Sequence, residues 1–149
     1  MDCIFCDIVS GKAPSHKVWE DEGHMAFLSI YPNTPGVTVV VTKKHYPSYV
    51  YQLPDAVFYG LLGASRKVAL LLDQKLDTVG RTGLVAEGFG VNHAHVKLFP
   101  MHGTKMNEWQ SINSNVDKYF EKYEGYLSTH NGKREDDEVL AQTARKIKN

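Results

Sequence analysis

The stretch from Glu87 to His102, reading EGFGVNHAHVKLFPMH, gathers side chains that can do chemistry near neutral pH. His93, His95 and Lys97 alternate there with Ala94, Val96 and Leu98. A two-residue period belongs to a strand, whose successive side chains point to opposite faces, and it predicts a strand over His93 to Phe99. The apolar set then faces a core. Two imidazoles and one ammonium share the other face, roughly 7 Å apart at about 3.3 Å per residue. Imidazole acts as nucleophile, general base or metal ligand at this pH, and lysine holds an anionic oxygen. Together they suit phosphate chemistry. A bare H-x-H also fits a metal site or a solvated strand face. Pro100 is read as closing the strand, and Gly88 and Gly90 as backbone that approaches something closely.

The two cysteines, Cys3 and Cys6, form the second chemical feature. C-x-x-C reads as half of a metal site or as a redox motif. A redox motif expects a preceding strand, and only Met1 and Asp2 precede Cys3. Zinc takes about four ligands, so two more, histidines from far along the chain, would be needed. The opening residues carry no basic region and no signal-peptide core, which makes a cytosolic protein the default. In a reducing compartment a structural disulfide between the two is not expected.

Other elements must position these groups. The 149 residues suit one domain with a genuine core. A formal net charge of +0 gives no sign of a nucleic-acid partner. No apolar run approaches the roughly 20 residues of a membrane span. Cys3 to Ser10 has helical spacing, with Gly11 as C-cap. Lys17 to Glu20, His24 to Ile30 and Val37 to Thr42 read as three strands. Pro54 opens a long helix to Leu76, with one apolar face through Val57, Phe58, Leu61, Leu62, Ser65, Val68, Ala69 and Leu72. Gly60 and Gly63 lower its propensity and are read as permitting close packing on a sheet. Thr82 to Ala86 is a fourth strand, before His93 to Phe99. This order predicts an α+β fold with a mostly antiparallel sheet. The domain is placed at residues 1–103, and residues 104–149 are read as an extension docked on it. In that extension Trp109, Ile112, Val116, Tyr119, Phe120 and Tyr123 are read as one helical face, and Asp136 to Lys148 as a terminal helix. His102 is read as a surface-loop residue.

From Cys3 to Pro100 the chain resembles the histidine triad (HIT) superfamily of nucleotide hydrolases and transferases. The resemblance rests on CIFCDIVSGKAPSHKVWED, HMAFLSIYPNTPG, VTVVVTKKH and VNHAHVKLFP, in that order. It implies a five-stranded antiparallel sheet with a long helix and a short N-terminal helix, a homodimer built through the long helix, and a small-molecule nucleotide as ligand. It implies His95 as the nucleophile that forms a nucleotidyl-histidine, with His93 either orienting that site or binding metal. Ile4, Phe5, Ile8, Phe27 and Ile30 match positions that line the base, although ordinary core is the bland reading for Ile8 and Phe27. Members beginning with C-x-x-C hold zinc, and the matching positions here are Cys3, Cys6, His45 and His93.

Three positions depart from the family pattern. Lys97 stands where a third histidine is expected, and at its usual pKa of about 10.4 lysine is a poor proton shuttle at pH 7. Its expected role is a phosphate-binding charge. Ser29 stands where an aspartate receives the ribose hydroxyls. Glu87 to Asn92 replaces a longer polar loop, and backbone N–H groups near Gly90 are expected to serve the phosphate instead. The leading expectation is a nucleotide hydrolase or nucleotidyl transferase. The alternatives are a nucleotide-binding or signalling module with little turnover, and a zinc-stabilised scaffold.

Overall fold

The computed structural model describes residues 2–148, in two compact units, Met1–Asn107 and Glu108–Asn149. The first unit runs α1 (Ile4–Val9), β1 (Lys17–Glu20), β2 (His24–Leu28), β3 (Thr38–Thr42), a 3-10 turn (Val50–Gln52), α2 (Asp55–Lys75), β4 (Val79–Val85) and β5 (His95–His102). Its five strands form one sheet in the order β1-β2-β3-β5-β4, antiparallel at every pairing. The α+β architecture expected from the element order is the one observed.

Register decides which side chains share a face. Ala26, Val40 and Val96 lie across from one another on β2, β3 and β5, and all are fully buried. They pack with Leu61, Ala64, Val68 and Leu72 of α2. Each fully buried leucine or valine there contributes about 1.5–3 kcal/mol. The Ser65 hydroxyl, also buried, donates to the Leu61 carbonyl one turn back at 2.8 Å, so this hydroxyl is paired. The opposite face carries Met25, Phe27, Val39 and Val41, covered by Phe5, Ile8 and Val9 of α1. With both faces covered, all five residues of β3 are buried, which is why three consecutive valines fill its centre.

Several limits differ from the periodicity reading. β5 starts at His95, not His93, because its ladder to β3 begins at Val41↔His95. The preceding Ala94 N–H instead donates to the Tyr46 carbonyl in the chain beyond β3. β5 also runs through Pro100, opposite Thr82 of β4. The ladder to β3 ends at Leu98, so a missing N–H at Pro100 strands no β3 acceptor. β4 begins at Val79, ahead of the expected Thr82. In α2, a Cβ at Gly63 would meet nothing within 4 Å, and one at Gly60 would make only ordinary contact with the His24 ring. Close packing therefore does not account for these glycines.

Among the described residues the second unit has one helix, α3 (Asp137–Lys148), with Asp137 and Glu138 in its first turn and Arg145, Lys146 and Lys148 in its last. The Asp136 carboxylate accepts from the Glu138 and Val139 N–H groups and caps it. The helical face expected from Trp109 to Tyr123 does not form; no helix or strand spans those residues. The Ile-Asn-Ser-Asn run offers its backbone local side-chain partners, and the Ser114 hydroxyl accepts from the Val116 N–H at 3.0 Å. Among the described residues no helix is long and apolar enough to cross a membrane.

Candidate active site and metal centre

His93 is fully buried just before β5, and its two ring nitrogens face different partners. Nε2–H donates to the Thr42 carbonyl at 2.7 Å, because a carbonyl can only accept. That assigns the tautomer and leaves a lone pair on Nδ1. Nδ1 lies 3.4 Å from Cys3 Sγ and 3.5 Å from Cys6 Sγ. His45, in the chain after β3, places its own Nδ1 3.4 Å from Cys6 Sγ. One ligand atom from each of the four residues lies within 4.8 Å of the others.

These separations test the fit to zinc. Bonds of about 2.3 Å to sulfur and 2.0–2.1 Å to nitrogen, at a tetrahedral angle, set S···N near 3.6 Å. The observed 3.4–3.5 Å agrees with that value. The donor set is Cys2His2, and the Thr42 carbonyl orients His93 as an outer-shell partner. Burial holds His93 below its ordinary pKa, against the opposing Thr42 bond, so the ring is the neutral form that metals bind. Burial and the neighbouring Cys3 thiol push Cys6 up, so its deprotonation awaits a cation. The centre joins α1, the loop after β3 and the entry to β5.

His95 is the first residue of β5 and only 3% exposed. Its Nδ1–H donates to the His93 carbonyl at 2.6 Å, which puts the remaining lone pair on Nε2. Phe5 sets its ring edge-on against both imidazoles, at 5.9 Å from His93 and 5.4 Å from His95. Burial lowers the His95 pKa, and the Lys97 ammonium adds to that, while the Glu87 carboxylate and the His93 bond oppose it.

His95 and Lys97 open into a cavity of about 690 Å³ between α1 and the sheet. Ile4, Phe5 and Ile8 of α1 form one wall, and Phe27, Ser29 and Ile30 another. Gly90 lies in the same lining, with a positive φ of 87°. Val39, Phe89 and Phe99 extend its apolar surface. The volume and lining are those of a small-molecule site. Ser29 Oγ accepts the Tyr31 N–H at 3.2 Å and keeps its proton to donate. The structure therefore brings the residues singled out in the sequence into two adjoining places, the metal cluster and the cavity, with His93 in the first and His95 in the second. His102 is elsewhere: exposed at the end of β5, its Nε2–H donates to the Pro35 carbonyl at 2.7 Å.

Sequence reasoning missed Glu87. Its carboxylate accepts from Lys97 Nζ at 2.7 Å, so Lys97 is half of an ion pair rather than an isolated charge. No signal within one segment marked the pair; the Val85↔Lys97 register of β4 and β5 decides it. Residue 87 lies two beyond 85, on the same side of the alternation, and diagonal to the strand position of Lys97.

The HIT domain family model matches residues 10–104. An uncharacterized HIT-like protein from Methanocaldococcus jannaschii is 38% identical over 103 residues, covering 67% of this chain and 79% of that one. The crystal structure of a zinc-bound histidine triad family protein from Mycobacterium smegmatis aligns with a TM-score of 0.64 at 25% identity, covering 76% of this chain and 85% of that one. A HIT family hydrolase from Legionella pneumophila aligns with a TM-score of 0.58 at 26% identity, over 72% and 97% of the two chains. Cys3, Cys6, His45 and His93 form a cluster suited to structural zinc.

Proposed function

The chain belongs to the HIT domain family, and on that premise we propose that it is a nucleotide hydrolase or nucleotidyl transferase working through His95. One observation carries the reading. The Nδ1–H bond to the His93 carbonyl fixes the tautomer of His95 and burial favours its neutral ring, so an Nε2 lone pair is available in a residue that lines the apolar cavity. A nucleoside would lie against Ile4, Phe5, Ile8, Phe27 and Ile30, with a ribose hydroxyl near Ser29. Nε2 attacks the phosphorus attached to the nucleoside, an Nε2–P bond forms, and the leaving group departs with the electrons of its bond to phosphorus. Water or another acceptor then attacks the same phosphorus, and the P–N bond returns its electrons to the ring. Lys97 stands at the position of a third histidine and acts as charge beside the phosphate, with Gly90 offering backbone. With no neutral-pH proton donor among these groups, good leaving groups react and poor ones stall.

Zinc, when bound by Cys3, Cys6, His45 and His93, supplies structural cross-linking. His93 then acts as a metal ligand whose carbonyl orients His95, with no proton role of its own. Two thiols kept for metal suit a reducing, cytosolic setting. A second reading is a nucleotide-binding module with little turnover, favoured by the Lys97–Glu87 pair. Single-turnover reaction with a panel of activated nucleotides separates the two. The enzyme forms a covalent nucleotidyl-protein that maps to His95 and decays. In His95→Ala the label disappears while nucleotide binding persists. Binding without label in the wild type decides for the module. A label that persists in His95→Ala and vanishes in Lys97→Ala would make the lysine the nucleophile.

A further inference from the structure

Lys97 is the one formally charged side chain among the residues lining the cavity, and it faces a carboxylate. The Lys97 side chain is 35% exposed and that of Glu87 only 14%, so water and salt screen this pair less than a surface pair. Glu87 is presented from an anchored turn. The next residue, Gly88, has φ +77°, and a Cβ there would lie 3.2 Å from the Ser48 carbonyl oxygen. The Gly88 carbonyl accepts from the Ser48 hydroxyl at 2.7 Å, and the Ser48 N–H donates to Asn92 Oδ1 at 3.0 Å. Ser48 thus holds both ends of the short segment that follows Glu87. Both charges reach the His95 ring, where they act in opposite senses.

A phosphoryl group placed for attack by His95 therefore meets one positive and one negative charge, a formal sum of zero. An unpaired lysine would reward each added charge on the phosphate, whereas this pair rewards it little. We propose that Glu87 sets the charge selectivity of the phosphate subsite, cancelling Lys97 so that the site takes singly charged phosphoryl groups, substituted on both sides, rather than doubly charged terminal phosphates. This rests on the nucleotide reading above and adds to it the residue that selects the charge of the phosphate. Glu87 is a specificity-determining residue that acts through Lys97; it is not among the residues lining the cavity.

The test measures binding of a nucleoside 5′-monophosphate and of its 5′-methyl ester by titration calorimetry. At about pH 8 the first carries two negative charges and the second one, since the second phosphate pKa is about 6. The proteins are the wild type and Glu87→Gln. In the wild type the two affinities lie within a fewfold of each other. If the Glu87 carboxylate stands on the order of 7 Å from the phosphorus, removing its charge at an effective dielectric of about 20–40 is worth about tenfold or more per ligand charge. Glu87→Gln therefore tightens the ester once and the monophosphate about twice over, and their affinity ratio rises about tenfold. A gain of binding is not a result that structural damage produces. An unchanged ratio, or equal weakening of both ligands, overturns the charge selection while leaving the nucleotide reading intact. If neither ligand binds the wild type, the nucleotide reading falls and this inference falls with it.

Discussion

Removing the metal should cost this fold several kcal/mol, and the loss should begin at α1. That helix has six residues and none of them is buried. Isolated helices so short do not persist in water. Phe5, Ile8 and Val9 give it a partly buried apolar contact with the sheet, and Cys3 and Cys6 tie it through the cluster to His45 and His93. The Cys6–His93 link closes a separation of 87 residues, and Cys6–His45 one of 39. In the chain-entropy account of cross-links, closing the larger loop is worth about 4–5 kcal/mol at 25 °C, and the second link adds less because it falls inside the first. At about 3–5 °C per kcal/mol for a unit of this size, chelation or Cys6→Ser should lower Tm by about 12–25 °C. Calorimetric melts of the protein purified without chelator, of chelated protein and of Cys6→Ser supply the number. Metal analysis on the same samples should read about one zinc per chain for the first and little for the others. Hydrogen exchange supplies the location: without metal, the amides of Ile4–Val9 exchange fast while those of β3 remain protected. A chelated protein that melts within about 2 °C of the metal-loaded one would refute the cross-link argument. So would a protein that folds fully and never contains zinc.

Three further outcomes follow from other parts of the molecule. Nucleotidyl labelling needs the neutral His95 ring, and burial holds its pKa below the ordinary value of 6.5, so labelling should still exceed half its maximum at pH 6.5 and fall below half only in more acid solution; a half-maximum above pH 6.5, with zinc content monitored in parallel, refutes it. Gly63 is helical and shares the face of Tyr59 and Leu70, where an added Cβ meets open space within one chain, so Gly63→Ala should stabilise a Leu70→Asp monomer by about 0.5–1 kcal/mol in urea titrations; destabilisation of that monomer refutes it. Leu70 is 58% exposed on α2 and Tyr59 65% exposed, which supports the expected homodimer through this helix; light scattering should report a dimer at micromolar concentration and a shift toward monomer for Leu70→Asp, and a monomeric wild type decides against it.

Much of the fold was legible because periodicity is a local property. The alternation from His93 to Leu98 separates a core face from a chemical face whatever the strand pairs with. The three- and four-residue spacing of Leu61, Ser65, Val68 and Leu72 likewise marks the buried side of α2. Where local preference was weak, the reading failed. Trp109 to Tyr123 can be arranged on a helical wheel, but the Ser114 hydroxyl engages the nearby Val116 N–H instead.

The site divides in the same way. Residue types and their family positions were enough to name Cys3, Cys6, His45 and His93, because four suitable donors already constrain what can bind. The tautomer of each imidazole, His93 and His95, was not legible. It depends on which ring nitrogen meets the Thr42 carbonyl and which meets the His93 carbonyl, and so on the placement of backbone groups by the β3–β5 register. The Lys97–Glu87 pair is of the same kind. Ten residues separate the two in the chain, and only the return of β4 against β5 sets them 2.7 Å apart. A sequence specifies its own charges and periods residue by residue, whereas the partner of a charge is decided by long-range pairing, which no single segment carries.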